Sequence, residues 1–215
     1  MNYLIAIITV VVAYLLGSIS FAVIFTQKLN NKDIRDFGSG NAGTTNVLRV
    51  FGAKAGALTF AFDIIKGAVA CLLGLVVFKY FLPEFNVTYG KFFCAFACML
   101  GHCFPVFFQF RGGKAVATSV GIFAVCCHPA IIIGLVFFGL SLLIVKMVSA
   151  ASLIATTVVA TVTIICAFTG FFPADTNPYI ISVLMVACAA IVFFRHSENI
   201  VRILNGTEKK FKIKK

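Results

Sequence analysis

Charge is what this chain has least of. Only 12% of its 215 residues are charged, and just 7 of those are acidic. With 61% hydrophobic residues and a mean hydropathy of +1.05, it lacks the polar groups needed to cover a water-soluble domain of this size. No charge occurs between Met1 and Gln27, so the basic n-region of a cleavable signal peptide is missing. No Cys-x-x-Cys pair with matching histidines suggests a zinc site. The eight cysteines all sit inside or at the edge of apolar runs, where they read as small buried hydrophobes and not as a disulfide framework. The apolar runs are long and uninterrupted, which excludes a β-barrel. What remains is an all-α polytopic membrane protein. In that class a net charge of +11 is no sign of nucleic-acid binding; what matters is where the cations lie.

Spans are predicted at about 3–27, 54–78, 91–109, 116–127, 130–146, 152–169 and 179–194, all within one domain covering 1–215. The stretch Ala115–Val145 decides the count. Its 31 uncharged residues are long for one crossing and short for two, and His128-Pro129 interrupts it near the middle. Two short helices give seven transmembrane helices. Fifteen of the 18 cations then fall on one side, in loops 28–53, 110–115 and 147–151, at membrane edges, and in the tail 195–215. Lys79 and Lys91 lie on the other side, and Lys66 lies within a span. The asymmetry puts the N-terminus outside and the C-terminus in the cytoplasm. A single crossing through 115–145 would split the cations between the two faces.

The polar clusters share the cation-rich face. Phe37 to Arg49 carries three glycines in six residues among small hydroxyl and amide side chains. Such a turn leading into a helix N-terminus suits an anion, although an ordinary polar loop would read similarly. Phe110 to Thr118 sets Arg111 and Lys114 around Gly112-Gly113, either as anion ligands or as membrane-edge anchors. Lys146 to Ser152 is a tight turn in which Ser149 or Ser152 caps a helix. His196, Asn199 and Arg202 recur every three residues, along one face of a helix that Gly206 would end. Asp63 and Lys66 are charges inside a span, either functional or an internal ion pair supporting the fold. His102 reads as a hydrogen-bonded core residue.

Five motifs together carry a family resemblance: Phe37-Gly-Ser-Gly-Asn-x-Gly-x-Thr-Asn-x-x-Arg49, Phe62-Asp-x-x-Lys-Gly67, Gly101-His-x-Phe-Pro105, Phe110-x-Gly-Gly-Lys-x-Val-Ala-Thr118 and Arg195-His-x-x-Asn-x-x-Arg-x-x-x-Gly-Thr-Glu208. In this order, and over nearly the whole chain, the sequence resembles the bacterial acyl-phosphate:glycerol-3-phosphate acyltransferases. The resemblance implies a multi-pass enzyme of the bacterial cytoplasmic (inner) membrane with its active site on the cytoplasmic face. Such an enzyme moves a fatty acyl group from acyl phosphate to the 1-hydroxyl of sn-glycerol 3-phosphate. It yields lysophosphatidate and phosphate, the first acylation of phospholipid biosynthesis. No cofactor, metal or nucleic acid is implied. The partners are the two substrates and the lipid bilayer, with activity as a monomer.

The resemblance implies catalytic roles for Ser39, Arg49, Lys114, His196 and Asn199. It places Gly38, Ser39, Gly40, Asn41, Gly43, Thr45, Asn46, Ser149 and Ser152 at the acyl phosphate. Arg49, Lys114, His196 and Asn199 fall to glycerol 3-phosphate, and Asp63, Lys66, Gly112, Gly113 and Glu208 to support. No His-x-x-x-x-Asp occurs, so the familiar acyltransferase base pair is absent. Catalysis is then expected from positioning and charge stabilisation, with the donor's own phosphate taking the hydroxyl proton; His196 as general base is the rival. Ala42, Ala115, Ser20 and Ala150-Ala151 depart from the family pattern. None removes a charged or hydrogen-bonding group, and Ala115 stands where glycine is usual, directly after Lys114. A small transporter of an anionic metabolite is the alternative. Against it, the polar residues gather on one face and not at the bilayer midplane.

Overall fold

The computed structural model describes residues 1–211; the tail cations Lys212, Lys214 and Lys215 lie outside the described residues. The described residues form nine α-helices and no strand: α1 Asn2–Gly17, α2 Phe21–Asn30, α3 Thr44–Tyr80, α4 Val87–Cys103, α5 Val116–Cys126, α6 His128–Val145, α7 Val148–Phe168, α8 Pro178–Arg195 and α9 Ser197–Leu204. Six segments are long and apolar enough to cross a membrane: Asn2–Asn30, Thr44–Tyr80, Val87–Phe108, His128–Val145, Val148–Phe168 and Pro178–Arg195. Helix α5, at 11 residues, is too short to line the full hydrocarbon thickness against lipid, and Thr118, Gly121, Ile122, Phe123 and Cys126 on it are buried in the protein. Where the sequence suggests one domain, the chain separates into two compact units, residues 1–126 with 173–176, and residues 127–172 with 177–211.

In the first unit the apolar run 3–27 is two helices and not one. The chain breaks at Ser18–Ser20, where Ser20 is extended (φ −90°, ψ 91°). Small residues let the backbones meet there. A side chain on Gly17 would overlap the Cys98 backbone, and one on Gly101 would overlap the Tyr14 carbonyl. The freed backbone groups find partners. The Ile19 N–H donates to Leu16 O at 3.2 Å, and Lys66 Nζ donates to Ile19 O at 2.8 Å. Helix α3 begins at Thr44, ten residues before the predicted span. Gly52 (φ 85°) turns the chain sharply within it, so that Leu48 lies against Gly56. The span proper starts after that corner, and α3 packs on α4 and α5.

In the second unit α6 opens at His128 with Pro129 in its first turn, and Cys127 before it is non-helical (φ −156°, ψ 81°). This is the interruption read from His128-Pro129. Helix α7 packs on α6 and α8, with Gly134 against Val159. The outward faces of α6 and α8 are apolar, with Leu143, Ile144, Val183 and Val186 exposed as suits lipid contact.

The connector before α5 is unusual in its backbone. Gln109, Phe110 and Ala115 all adopt left-handed φ, at 56°, 58° and 58°. Ala115 is also fully buried. An L-residue there costs about 1 kcal/mol that glycine avoids. Ala115→Gly should therefore raise the melting temperature by a few degrees and Ala115→Val should lower it. Thermal unfolding in detergent, followed with a thiol-reactive dye on the mostly buried cysteines, measures both.

Candidate active site

The Gly-rich loop owes its shape to one side chain. Asn46, buried in the first turn of α3, accepts from the Ser39 N–H through Oδ1 at 3.0 Å. Its Nδ2 donates to Phe37 O at 2.9 Å and Asn41 O at 3.1 Å. Gly38 and Gly40 take φ of 68° and 69°, and a Cβ on Gly38 would collide with Asn46 Oδ1. The resemblance assigns Asn46 to a phosphate, but its amide is spent on holding the loop. Ala42 is buried with Ile34 and Val47 beneath the loop, while Ser39 and Gly40 are exposed.

Gly43 is the N-cap of α3 and offers no side chain to its first turn. The N–H groups of that turn point out of the helix end, where an anion is favoured by both hydrogen bonding and the helix dipole. Thr44, not among the predicted site residues, adds a shielded Oγ1 without a hydrogen-bond partner among the described residues. Thr45 is half-buried beside it, and Arg49 is exposed one turn further along.

The second motif meets the first at Gly113. Its N–H donates to His102 O at 3.0 Å. A Cβ there would fall 2.8 Å from Ala42 O and would overlap the His102 ring, so only glycine lets the two loops close up. Half-buried Lys114 follows directly. Beneath them Lys66 Nζ lies 2.8 Å from Asp63 Oδ1, and His102 Nδ1 lies 3.6 Å from the same oxygen. At the other end of the connector Arg35 Nη1 donates to Phe108 O at 2.8 Å while Nη2 pairs with Asp33 at 2.7 Å. Burial alone would raise the Asp33 carboxyl, but bonds from Arg35 hold it below its ordinary value. Sequence reasoning passed over this brace. Its only signal is an Asp-x-Arg spacing just ahead of the glycines.

The remaining predicted residues belong to the second unit, where Ser149 and Asn199 meet at Glu208. Its Oε1 accepts from Ser149 Oγ at 2.8 Å and Asn199 Nδ2 at 2.7 Å, and its Oε2 accepts from Arg202 Nε at 2.7 Å. The Ser152 hydroxyl donates to Val148 O at 2.8 Å within its own helix. Ser149 and Ser152, expected at a phosphate, thus each donate their single proton inside the protein. Arg202 lies on the same face as Asn199, and that spacing was the signal for it. His196 is buried at the α8–α9 junction with Nδ1 2.8 Å from Val192 O. A carbonyl only accepts, so Nδ1 carries the proton, and in the neutral ring Nε2 is the acceptor.

Burial pushes the Glu208 carboxyl up, yet the three donors bring it below its ordinary value. A depressed folded value means that the stabilisation is present above the unfolded value of about 4.3 and is lost as pH falls through the folded one. Segment 205–211 should be protected from hydrogen exchange at pH 7 and released as pH falls below the ordinary glutamate range. Glu208→Gln should release it at neutral pH already.

Known proteins match this arrangement along nearly its full length. The Glycerol-3-phosphate acyltransferase family profile matches residues 7–206. Glycerol-3-phosphate acyltransferase 2 of Bacillus anthracis is 40% identical over 204 residues, covering 95% of this chain and 98% of the relative. The Aquifex aeolicus glycerol-3-phosphate acyltransferase is 41% identical over 209 residues, covering 96% and 99%. Among solved structures, PlsY (YgiH), an integral membrane glycerol 3-phosphate acyltransferase in its glycerol 3-phosphate form, superposes with a TM-score of 0.79 at 34% identity over 96% of each chain. Its lysophosphatidic acid form gives 0.78 at 32% identity, over 96% of this chain and 95% of that one. With its two glycine-rich loops in contact, and this likeness running from end to end, the chain belongs to the glycerol-3-phosphate acyltransferase family.

Proposed function

We propose that the protein transfers a fatty acyl group from acyl phosphate to the 1-hydroxyl of sn-glycerol 3-phosphate in the bacterial cytoplasmic membrane. The observation that carries this reading is the meeting of the two glycine-rich loops at Gly113 and Ala42, beside the uncapped N-terminus of α3. That arrangement offers first-turn N–H groups, the Ser39, Thr44 and Thr45 hydroxyls, and a nearby ammonium on Lys114. It suits a pair of phosphates better than an apolar or cationic ligand. The relatives are glycerol-3-phosphate acyltransferases, and PlsY is known in a glycerol 3-phosphate form and a lysophosphatidic acid form, which supports glycerol 3-phosphate as the acceptor. The proposed topology has seven crossings with α5 as the short one, the N-terminus outside, and the loops at 31–43, 104–115 and 146–147 facing the cytoplasm. The proposed active form is the monomer.

In the proposed reaction the acceptor hydroxyl oxygen attacks the acyl carbonyl carbon. The carbon–oxygen bond to phosphate breaks, and inorganic phosphate leaves with the hydroxyl proton. The N–H groups of Thr44 and Thr45 at the start of α3, with the Ser39 and Thr45 hydroxyls, hold the donor phosphate, and Arg49 and Lys114 hold the acceptor phosphate. His196 and Asn199 serve the glycerol portion. Asn46 and Glu208 shape the surroundings and do not bind substrate.

Three assays test this. Purified protein in detergent, offered acyl phosphate, acyl-CoA and acyl carrier protein in parallel, should form lysophosphatidate from acyl phosphate alone. Product without a sealed compartment also rules out a transporter. Lys114→Met should raise KM for glycerol 3-phosphate at least about tenfold, the loss expected for a charge-assisted hydrogen bond. His196→Ala at saturating substrates should lower kcat by less than about 100-fold; a loss of about 10²- to 10⁴-fold would make His196 the general base.

A further inference from the structure

The cluster formed by Asp63, Lys66 and His102 is 1%, 4% and 7% exposed. A buried ion pair is rarely worth more to stability than apolar side chains of similar volume, so stability alone is a weak reason for placing one here. Its contacts suggest another role. Lys66 Nζ reaches both Asp63 and the carbonyl of Ile19 at the α1–α2 break. Asp63 in turn lies 3.6 Å from His102 Nδ1. On its other side His102 supports the Gly-Gly pair. Its carbonyl accepts from the Gly113 N–H, and a Cβ on Gly112 or Gly113 would strike the His102 backbone or ring.

That support matters because the connector has little regular structure of its own. Left-handed residues stand at 109, 110 and 115, and the segment between helices is held from outside by Arg35 at Phe108 and by His102 at Gly113. Backbone strain of this kind persists only where the surroundings over-determine it. Lys114 is the next residue after the point of support, so a shift of the His102 ring moves the backbone that carries the ammonium.

We propose that His102, held by the Asp63–Lys66 pair, is a positioning residue that sets Lys114 for the acceptor phosphate. The pair fixes the ring, the ring fixes Gly113, and Gly113 fixes Lys114. His102 itself touches no substrate. The inference rests on Lys114 binding glycerol 3-phosphate, and the experiment separates the two.

His102→Ala, Asp63→Asn, Lys114→Met and the double variant His102→Ala/Lys114→Met are compared in detergent. KM is measured for each substrate, with the glycerol 3-phosphate Kd by calorimetry where turnover is lost. His102→Ala and Asp63→Asn should each weaken glycerol 3-phosphate about ten- to hundredfold, the scale of an ångström-sized misplacement, and change KM for acyl phosphate by less than about twofold. The double variant should lose no more than Lys114→Met alone, because His102 acts through Lys114. Additive losses, equal changes in both substrates, or unchanged kinetics overturn the proposal. So does failure of both single variants to fold, which would assign the cluster to folding only. A near-normal acceptor affinity in Lys114→Met would instead reject the assignment of Lys114, and the proposal with it.

Discussion

The hydrogen bond from Lys66 to the carbonyl of Ile19 is the contact on which the first unit turns. A helix broken inside an apolar environment leaves backbone groups that water cannot reach, and each costs several kcal/mol unless something else satisfies it. The break between α1 and α2 is therefore possible only with a buried donor at hand. That donor is a cation, so it needs a counter-charge, and Asp63 one turn earlier on the same helix supplies it. The carboxylate then brings His102 into the cluster, and His102 bears the glycine pair. A single unsatisfied carbonyl thus links the first broken helix to the loop that carries Lys114.

The two units use the same device in different places. In the first, the side chain of Asn46 captures three backbone groups of the preceding loop and bends it over the start of α3. In the second, the Glu208 carboxylate gathers a serine, an asparagine and an arginine, tying the chain after α9 to the start of α7. In each case a polar side chain that sequence alone places at a ligand, or near one, is used to shape the backbone. This division of labour follows from hydrogen-bond capacity. A serine has one proton and an amide has two, and once these are donated internally they are no longer available to a phosphate. Backbone N–H groups at a helix end have no such internal partner, so they remain the natural anion ligands.

Much of the architecture was legible from one dimension, and for identifiable reasons. Long apolar runs, the Pro129 interruption and the lopsided distribution of cations are properties of the chain that no packing can alter. Membrane-spanning segments need about 20 apolar residues whatever they pack against. The family motifs were likewise legible because their spacing is local. The break at Ser18–Ser20 was not, since an uninterrupted apolar run gives no hint that Gly17 and Gly101 bring two backbones into contact. Nor was the start of α3 at Thr44, because a polar, glycine-rich stretch reads as loop until Asn46 and the Gly52 corner are seen in place.

By itself the sequence determined the class, most of the long apolar segments, the uneven spacing of cations along the chain and the set of polar residues available for chemistry, since these depend on composition, periodicity and local spacing. Tertiary structure alone decided which of those residues are spent on holding the backbone and which remain to meet a ligand. Asn46, Ser149 and Asp63 are indistinguishable in sequence from ligands. Their partners lie from three to 59 residues away, some of them across a helix interface, and only the folded chain brings such groups within hydrogen-bond reach.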